Sequence, residues 1–275
     1  AYIVARDNLG EGPAQTAGAA LLTDYILTVA VSISSGVAQI TSAFPDLLPY
    51  RVWISLGIIL VMTLINLRGV KESGSAFSLP TYFFLGMTLF TIGLGFYRYF
   101  TGTLGAVTDV EMMHAVTQDL TLFLILKAFS SGCTALTGVE AISNGITAFN
   151  EPKSRNAGIT LLWMSGILSV MFFGVTFLAG QMHVMPSHTE TVFSQIARTI
   201  YDKGSPMYLA LLGSTTLILI MAANTSYADF PRLGALHAGD GFLPKQLTYR
   251  GSRLVFTWGI LALAGFASLL IIVFN

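Results

Sequence analysis

Charge is what this sequence lacks. Aspartate, glutamate, lysine and arginine make up 10% of its 275 residues, against about 25% in a water-soluble domain. So few charges cannot cover a water-facing surface. Lipid must therefore solvate much of the exterior, in keeping with 53% hydrophobic residues and a mean hydropathy of +0.70. The formal net charge is zero, which argues against nucleic acid as a partner. The single cysteine, Cys133, excludes an internal disulfide framework and any cysteine-rich metal site. The four histidines, His114, His183, His188 and His237, lack ligand spacing and fall in or near polar connections. The sequence has no phosphate-binding glycine loop, nucleophile elbow or zinc-ligand helix motif. No enzyme activity and no resident cofactor are expected from it. Fixed-period repeats, soluble domains and low-complexity linkers are also missing. The chain opens on Ala1 without a signal peptide, Tyr2 to Arg6 resembles the tail of an apolar helix, and Ile271 to Asn275 stops inside a hydrophobic run. An internal piece of a longer protein is expected.

What is present is a series of long apolar stretches. A spanning helix needs about 20 mostly apolar residues. Such stretches recur at about 17–44, 52–67, 75–97, 120–149, 157–182, 207–228 and 254–274. Seven spans within one transmembrane domain, residues 1–275, are therefore expected. Pro80 falls near the start of the third span, where proline is tolerated best. A connection holding Asp109, Glu111, His114 and Asp119 follows it. Between the fifth and sixth spans, Val192, Ile196 and Ile200 recur at helical spacing and predict a short interfacial helix.

The alternation of connections lets basic residues test this layout. One side would hold Arg6, Arg68, Lys71, Lys153, Arg155, Arg232, Lys245, Arg250 and Arg253. The other would hold Arg51, Arg98, Arg198 and Lys203, with Lys127 just inside the fourth span. Nine against five places the first side, and the amino terminus, in the cytoplasm.

Ionisable residues inside spans are costly and mark transport pathways. Asp24 lies roughly 9 Å into the first span, at 1.5 Å per residue. Asp24, Thr28, Ser32 and Ser35 are spaced by four, four and three, so they share one helix face. Tyr25 adds a phenol beside the carboxylate. Such an oxygen stripe suits a hard, weakly hydrated cation or an ammonium group. The competing structural reading is a snorkelling carboxylate with hydroxyls bonded to their own backbone. Glu140 lies roughly 12 Å into the fourth span. Around it stand Gly132, Thr137, Gly138, Ser143, Asn144 and Gly145. Glycines and hydroxyls at that density weaken a helix, and irregular backbone survives in lipid only where buried or lining a polar cavity. Thr137 and Glu140 would then face one cavity. An apolar surrounding favours the protonated glutamate near neutral pH, which equips Glu140 to carry a proton. The structural alternative is a small-residue packing face around one buried, protonated glutamate. Lys127 reads as a snorkelling residue. Asp229, close to Pro231, reads as structural, with Arg232 or Arg68 as partner and Pro231 as the helix stop.

Three segments carry a resemblance. Thr23-Asp-Tyr-Ile-Leu-Thr-Val-Ala-Val-Ser32, Ala135-Leu-Thr-Gly-Val-Glu-Ala-Ile-Ser-Asn144 and Asn224-Thr-Ser-Tyr-Ala-Asp-Phe-Pro-Arg232 are similar to amino acid–polyamine–organocation (APC) permeases. Within that superfamily they most resemble the bacterial KimA-type potassium–proton symporters, and Asn66-Leu-Arg-Gly-Val-Lys-Glu72 fits the connection between the family's fourth and fifth helices. The resemblance implies an all-α polytopic membrane protein, with these spans as helices three to nine of a LeuT-type inverted-repeat fold. It places the family's aspartate–tyrosine pair on Asp24 and Tyr25, with Thr28 one turn on. The helix-six threonine falls on Thr137 and the proton-linked glutamate on Glu140.

The expected function is proton-coupled potassium uptake across a bacterial plasma membrane. Potassium and protons would be cargo, Asp24, Tyr25, Thr28 and Thr137 would be ion ligands, and Glu140 the proton carrier. The substrate is a small ion or small molecule, and a homodimer stays open. The nearest rival is an amino acid or polyamine permease on the same scaffold, with Asp24 facing a substrate amine. A channel would need a continuous pore or filter motif, which two separated carboxylates do not make.

Overall fold

A computed structural model describes residues 2–69, 74–107, 120–133, 142, 149–249, 251 and 256–274. Nine α-helices are assigned there: α1 (Tyr2–Leu9), α2 (Glu11–Ala43), α3 (Arg51–Leu67), α4 (Gly74–Phe100), α5 (Leu122–Cys133), α6 (Lys153–Gln181), α7 (Val192–Tyr201), α8 (Pro206–Gly239) and α9 (Thr257–Phe274). Short 3-10 turns at Pro45–Tyr50 and Lys245–Thr248 join neighbours. Six of the helical stretches are long and apolar enough to cross a membrane, and they answer to six of the seven expected spans. The fourth span is represented by the twelve residues of α5, and its remainder, with Thr137 and Glu140, lies outside the described residues. The connection carrying Asp109 to Asp119 does so too.

The two longest helices overrun their hydropathy limits. α2 begins at Glu11 rather than near 17, and α8 runs to Gly239 rather than stopping near 228. Hydropathy marks where a helix leaves hydrocarbon, whereas hydrogen bonding carries it further into water. Pro231 does not end α8. It is buried inside the helix, facing Gly259 of α9, where an added β-carbon would come within 2.8 Å of the proline Cβ. The bond lost at proline is accepted because its ring fills a site that glycine leaves open.

The core is built on α2 and α8. On α2, Tyr25, Val29, Ile33 and Gly36 form a buried stripe, and Ala223, Tyr227 and Phe230 of α8 complete the cluster. Ile59 and Met62 of α3 join it, as do Ile260, Leu263, Ala267 and Ile271 of α9. A second cluster joins Ile92 of α4, Leu178 and Met182 at the end of α6, and Ile196 and Ile200 of α7. Glycines permit the α4–α6 crossing, since a β-carbon at Gly174 would lie 2.7 Å from Ile92 and one at Gly95 2.6 Å from Leu178. The apolar face of α7 therefore rests on protein rather than standing as a free interfacial surface. Outward-pointing Trp163, Phe172 and Phe173 of α6 are exposed, as suits side chains solvated by lipid.

The helix ends sort as the charge alternation requires. Arg6, Arg232 and Lys245 lie at the end where α1 meets the terminus of α8, called the inner end below. Arg51, Arg98 and Arg198 gather with α7 at the outer end.

Candidate functional site

Asp24 stands half-buried in the inner half of α2, and Thr28, Ser32 and Ser35 are half-buried above it. Their stripe flanks the face that packs on α8, so it neither faces lipid fully nor belongs to the core. Tyr25, one residue on and about 100° round the helix, is buried in that core. Asp24 and Thr28 thus share a flank, while the Tyr25 ring stands on the adjacent packed face. Asp24 has no hydrogen bond or ion pair among the described residues.

The hydroxyls of α2 divide into two groups. Thr16, Thr23, Thr41 and Ser42 each donate to a carbonyl three or four residues back, at 2.7 to 3.3 Å. Thr28, Ser32 and Ser35 make no such bond among the described residues. Hydroxyls in apolar helices normally satisfy themselves on the backbone. Among the described residues, Thr28, Ser32 and Ser35 depart from that habit on the same flank as Asp24. A groove of about 420 Å³ between α2 and α9 reaches the same stripe, lined by Leu27, Val31, Ser34, Ser35, Ile271 and Phe274.

A polar seam joins α3 to α8 in the inner half. Asn66 Nδ2 donates to Asn224 Oδ1 at 2.8 Å, and the Thr63 and Tyr227 hydroxyls meet at 3.1 Å. From the residues alone Asn66 and Asn224 served only as family markers. Their positions three residues from Thr63 and Tyr227 were the available signal, one polar face on each of two apolar helices. Asp229 lies 4.0 Å from Arg232, the structural pairing expected.

The outer end is closed by α7. Arg198 donates Nε to Glu190 Oε2 at 3.0 Å, and Ser194 donates to Glu190 Oε1 at 2.7 Å. The Ser194 hydroxyl also meets that of Tyr208 at 2.8 Å, and Thr191 bonds Gln39 and Ser42 of α2. Beside this clasp a cavity of about 100 Å³ is lined by Arg51, His188, Glu190 and several hydroxyls. Among the described residues no three His, Cys, Asp or Glu side chains converge as a metal site.

Six helices long and apolar enough to span a membrane, packed around the α2–α8 pair with polar clusters at both ends, define a polytopic α-helical membrane protein. A family model for amino acid permeases matches residues 1–275, and the chain belongs to that family. It is 47% identical over 273 residues to the potassium transporter KimA of Bacillus subtilis (strain 168), covering 99% of this chain and 45% of the relative. It is 26% identical over 200 residues to a probable potassium transport system protein Kup of Flavobacterium johnsoniae, covering 72% of this chain and 28% of the relative. The chain thus spans less than half the length of the curated relatives it matches.

Proposed function

We propose that the full protein is a proton-coupled potassium importer of the bacterial plasma membrane, and that this chain supplies one wall of its ion site. The observation that carries the reading is the uncommitted oxygen stripe. Asp24 brings one negative charge, enough to offset a monovalent cation, and Thr28 brings an oxygen one turn on. Potassium is weakly hydrated, and a cluster of oxygens at fixed spacing can replace its water shell. Tyr25 and Thr137 would complete the set from neighbouring faces, and Glu140 would take up and release the coupling proton. The names of both relatives support potassium over an amino acid as cargo.

Rubidium uptake by the full-length protein in liposomes, with and without an imposed proton gradient, tests this. Uptake should follow the gradient, fall at least about tenfold in Asp24→Asn, equivalent to about 1.4 kcal/mol of lost ion binding, and lose its proton dependence in Glu140→Gln. Uptake of a radiolabelled amino acid with no response to potassium would sink the proposal.

A further inference from the structure

The outer end carries a cation that neither the packing of the bundle nor the ion site uses. Arg51 opens α3 directly after the 3-10 turn Pro45–Tyr50, and it is half-buried. Its guanidinium makes no hydrogen bond or ion pair among the described residues. Asp46, in the turn before it, is exposed and forms no ion pair with it. A charge drawn partly out of water without a partner is costly. The planar fork of an arginine matches the oxygens of a carboxylate or a phosphate.

Arg51 lines the cavity of about 100 Å³ beside the outer clasp. The walls come from α2, the start of α3 and the 187–191 connection, far in sequence from either end of the chain. An ordered water needs only about 10–15 Å³ of such space, so a group of phosphate size has room. The sign of the guest follows from the charges around it. Among the described residues Glu190 is the one carboxylate of the lining, and both of its oxygens are engaged, Oε1 by Ser194 and Oε2 by Arg198. The Glu190 charge is thus matched across a 3.0 Å ion pair, and the Arg51 charge is left over. The hydroxyls sort in the same way. Thr41 and Ser55 donate their protons to carbonyls of their own helices, at 3.3 and 2.8 Å, and so serve a guest as acceptors. The Ser187 and Thr189 hydroxyls meet at 3.1 Å, which leaves one proton of the two to give, and exposed His188 adds a ring N–H. An anion that carries hydroxyls of its own fits this set, and a cation does not.

The residues beside Arg51 set its depth. Tyr50 and Trp53 are 59% and 73% exposed, and outward Tyr and Trp at the end of a spanning helix mark the level of the lipid headgroups. Phosphate is present at that level whatever the solution contains. We propose that the cavity receives the head of an outer-leaflet phospholipid carrying a single negative charge, with its phosphodiester on Arg51 and the hydroxyls of a glycerol-type head among Thr41, Ser55 and the 187–189 hydroxyls. A zwitterionic head brings its own ammonium and leaves the Arg51 charge uncompensated. The bound lipid bridges α2, α3 and the 187–191 connection, and so supports the clasp from the membrane side.

Native mass spectrometry of the full-length protein, delipidated in detergent and titrated with phosphatidylglycerol or phosphatidylcholine, tests this. Wild type should bind one phosphatidylglycerol at least about tenfold more tightly than phosphatidylcholine, the equivalent of one hydrogen bond to a charged group. Arg51→Gln should lose that preference. Arg51→Lys, which keeps the charge without the fork, should retain part of it. Arg98→Gln removes another outer cation, one that already has the Thr199 carbonyl as partner, and should leave the preference unchanged. Phosphatidylglycerol should raise the unfolding temperature of wild type but not of Arg51→Gln, while the two unfold alike in phosphatidylcholine, which separates a lost site from a damaged fold. Equal affinities for the two lipids in wild type overturn the proposal, as does a preference that survives Arg51→Gln or falls as far in Arg98→Gln. Displacement of the lipid by millimolar inorganic phosphate overturns it too, because the ligand is then a dissolved anion. Binding is read without transport, so its outcome is separate from that of the potassium reading.

Discussion

The two ends of this helix bundle are each tied by an arginine–carboxylate pair, and the pairs differ in what surrounds them. At the outer end Arg198 and Glu190 are 3.0 Å apart with side chains 19% and 14% exposed. At the inner end Arg6 and Asp240 are closer, at 2.7 Å, yet 41% and 30% exposed. Distance does not rank them. The outer pair is removed from water and its carboxylate is filled on both oxygens, so taking away either partner strands a buried charge. The inner pair is wetted, and water can replace either member at little cost. One junction is held by a pair shielded from water, and the other by a pair that water reaches.

The sharpest way to break this comparison is Glu190→Gln. It leaves the Arg198 guanidinium in a nearly closed site without its counter-charge and weakens the anchor for Ser194. A loss of about 3 kcal/mol is expected, seen as a clear fall in the unfolding temperature of the detergent-solubilised protein. An unchanged unfolding temperature would mean that the outer clasp holds no more firmly than the inner Arg6–Asp240 pair.

The seam between α3 and α8 should fall between the extremes. Tyr227→Phe removes one hydroxyl at a buried contact, but Thr63 keeps its 2.7 Å bond to the Ile59 carbonyl. The expected cost is about 1 kcal/mol, measured in the same unfolding experiment. A cost as large as that of Glu190→Gln would show that the seam, not the outer clasp, holds the bundle closed.

Much of this architecture is legible in the residues, and the exceptions have physical causes. Six spans follow from the run lengths alone, because lipid requires a long uninterrupted apolar stretch. The Asp24, Thr28, Ser32 and Ser35 stripe follows from helical spacing. That its hydroxyls make no backbone bond among the described residues does not, since Thr41 and Ser42 on the same helix bond their own backbone and nothing in their identity separates the two groups. Pro231 read as a helix stop because the rule assumes that the freed carbonyl and the ring find no better place. Gly259, 28 positions away, provides one. His237 read as part of a polar connection, yet it is buried near the end of α8. Its partners Tyr2 and Gly18 are more than 200 residues distant in sequence, beyond the reach of any local pattern.

The smallest effect on stability is expected from Arg6→Ala, and there the comparison is most exposed to failure. The wetted pair adds nothing measurable to global stability, so the unfolding temperature should stay where it is in the parent protein. Hydrogen exchange in α1 should rise severalfold at neutral pH, and added salt should reproduce part of that rise in the parent by screening the same pair. The acid response supplies the sign. Because the Asp240 carboxyl is held low by Tyr2 and Arg6, its contribution to docking is full above the ordinary aspartate value of about 3.9 and is lost as pH falls through the lowered value. Without Arg6 that loss moves up toward the ordinary carboxylate range, while the Tyr2 hydrogen bond still holds the group below it. A single step that moves with Arg6 would place all of the pH dependence on the carboxylate. An unfolding temperature lowered as far as in Glu190→Gln would make the inner tie a structural clasp like the outer one.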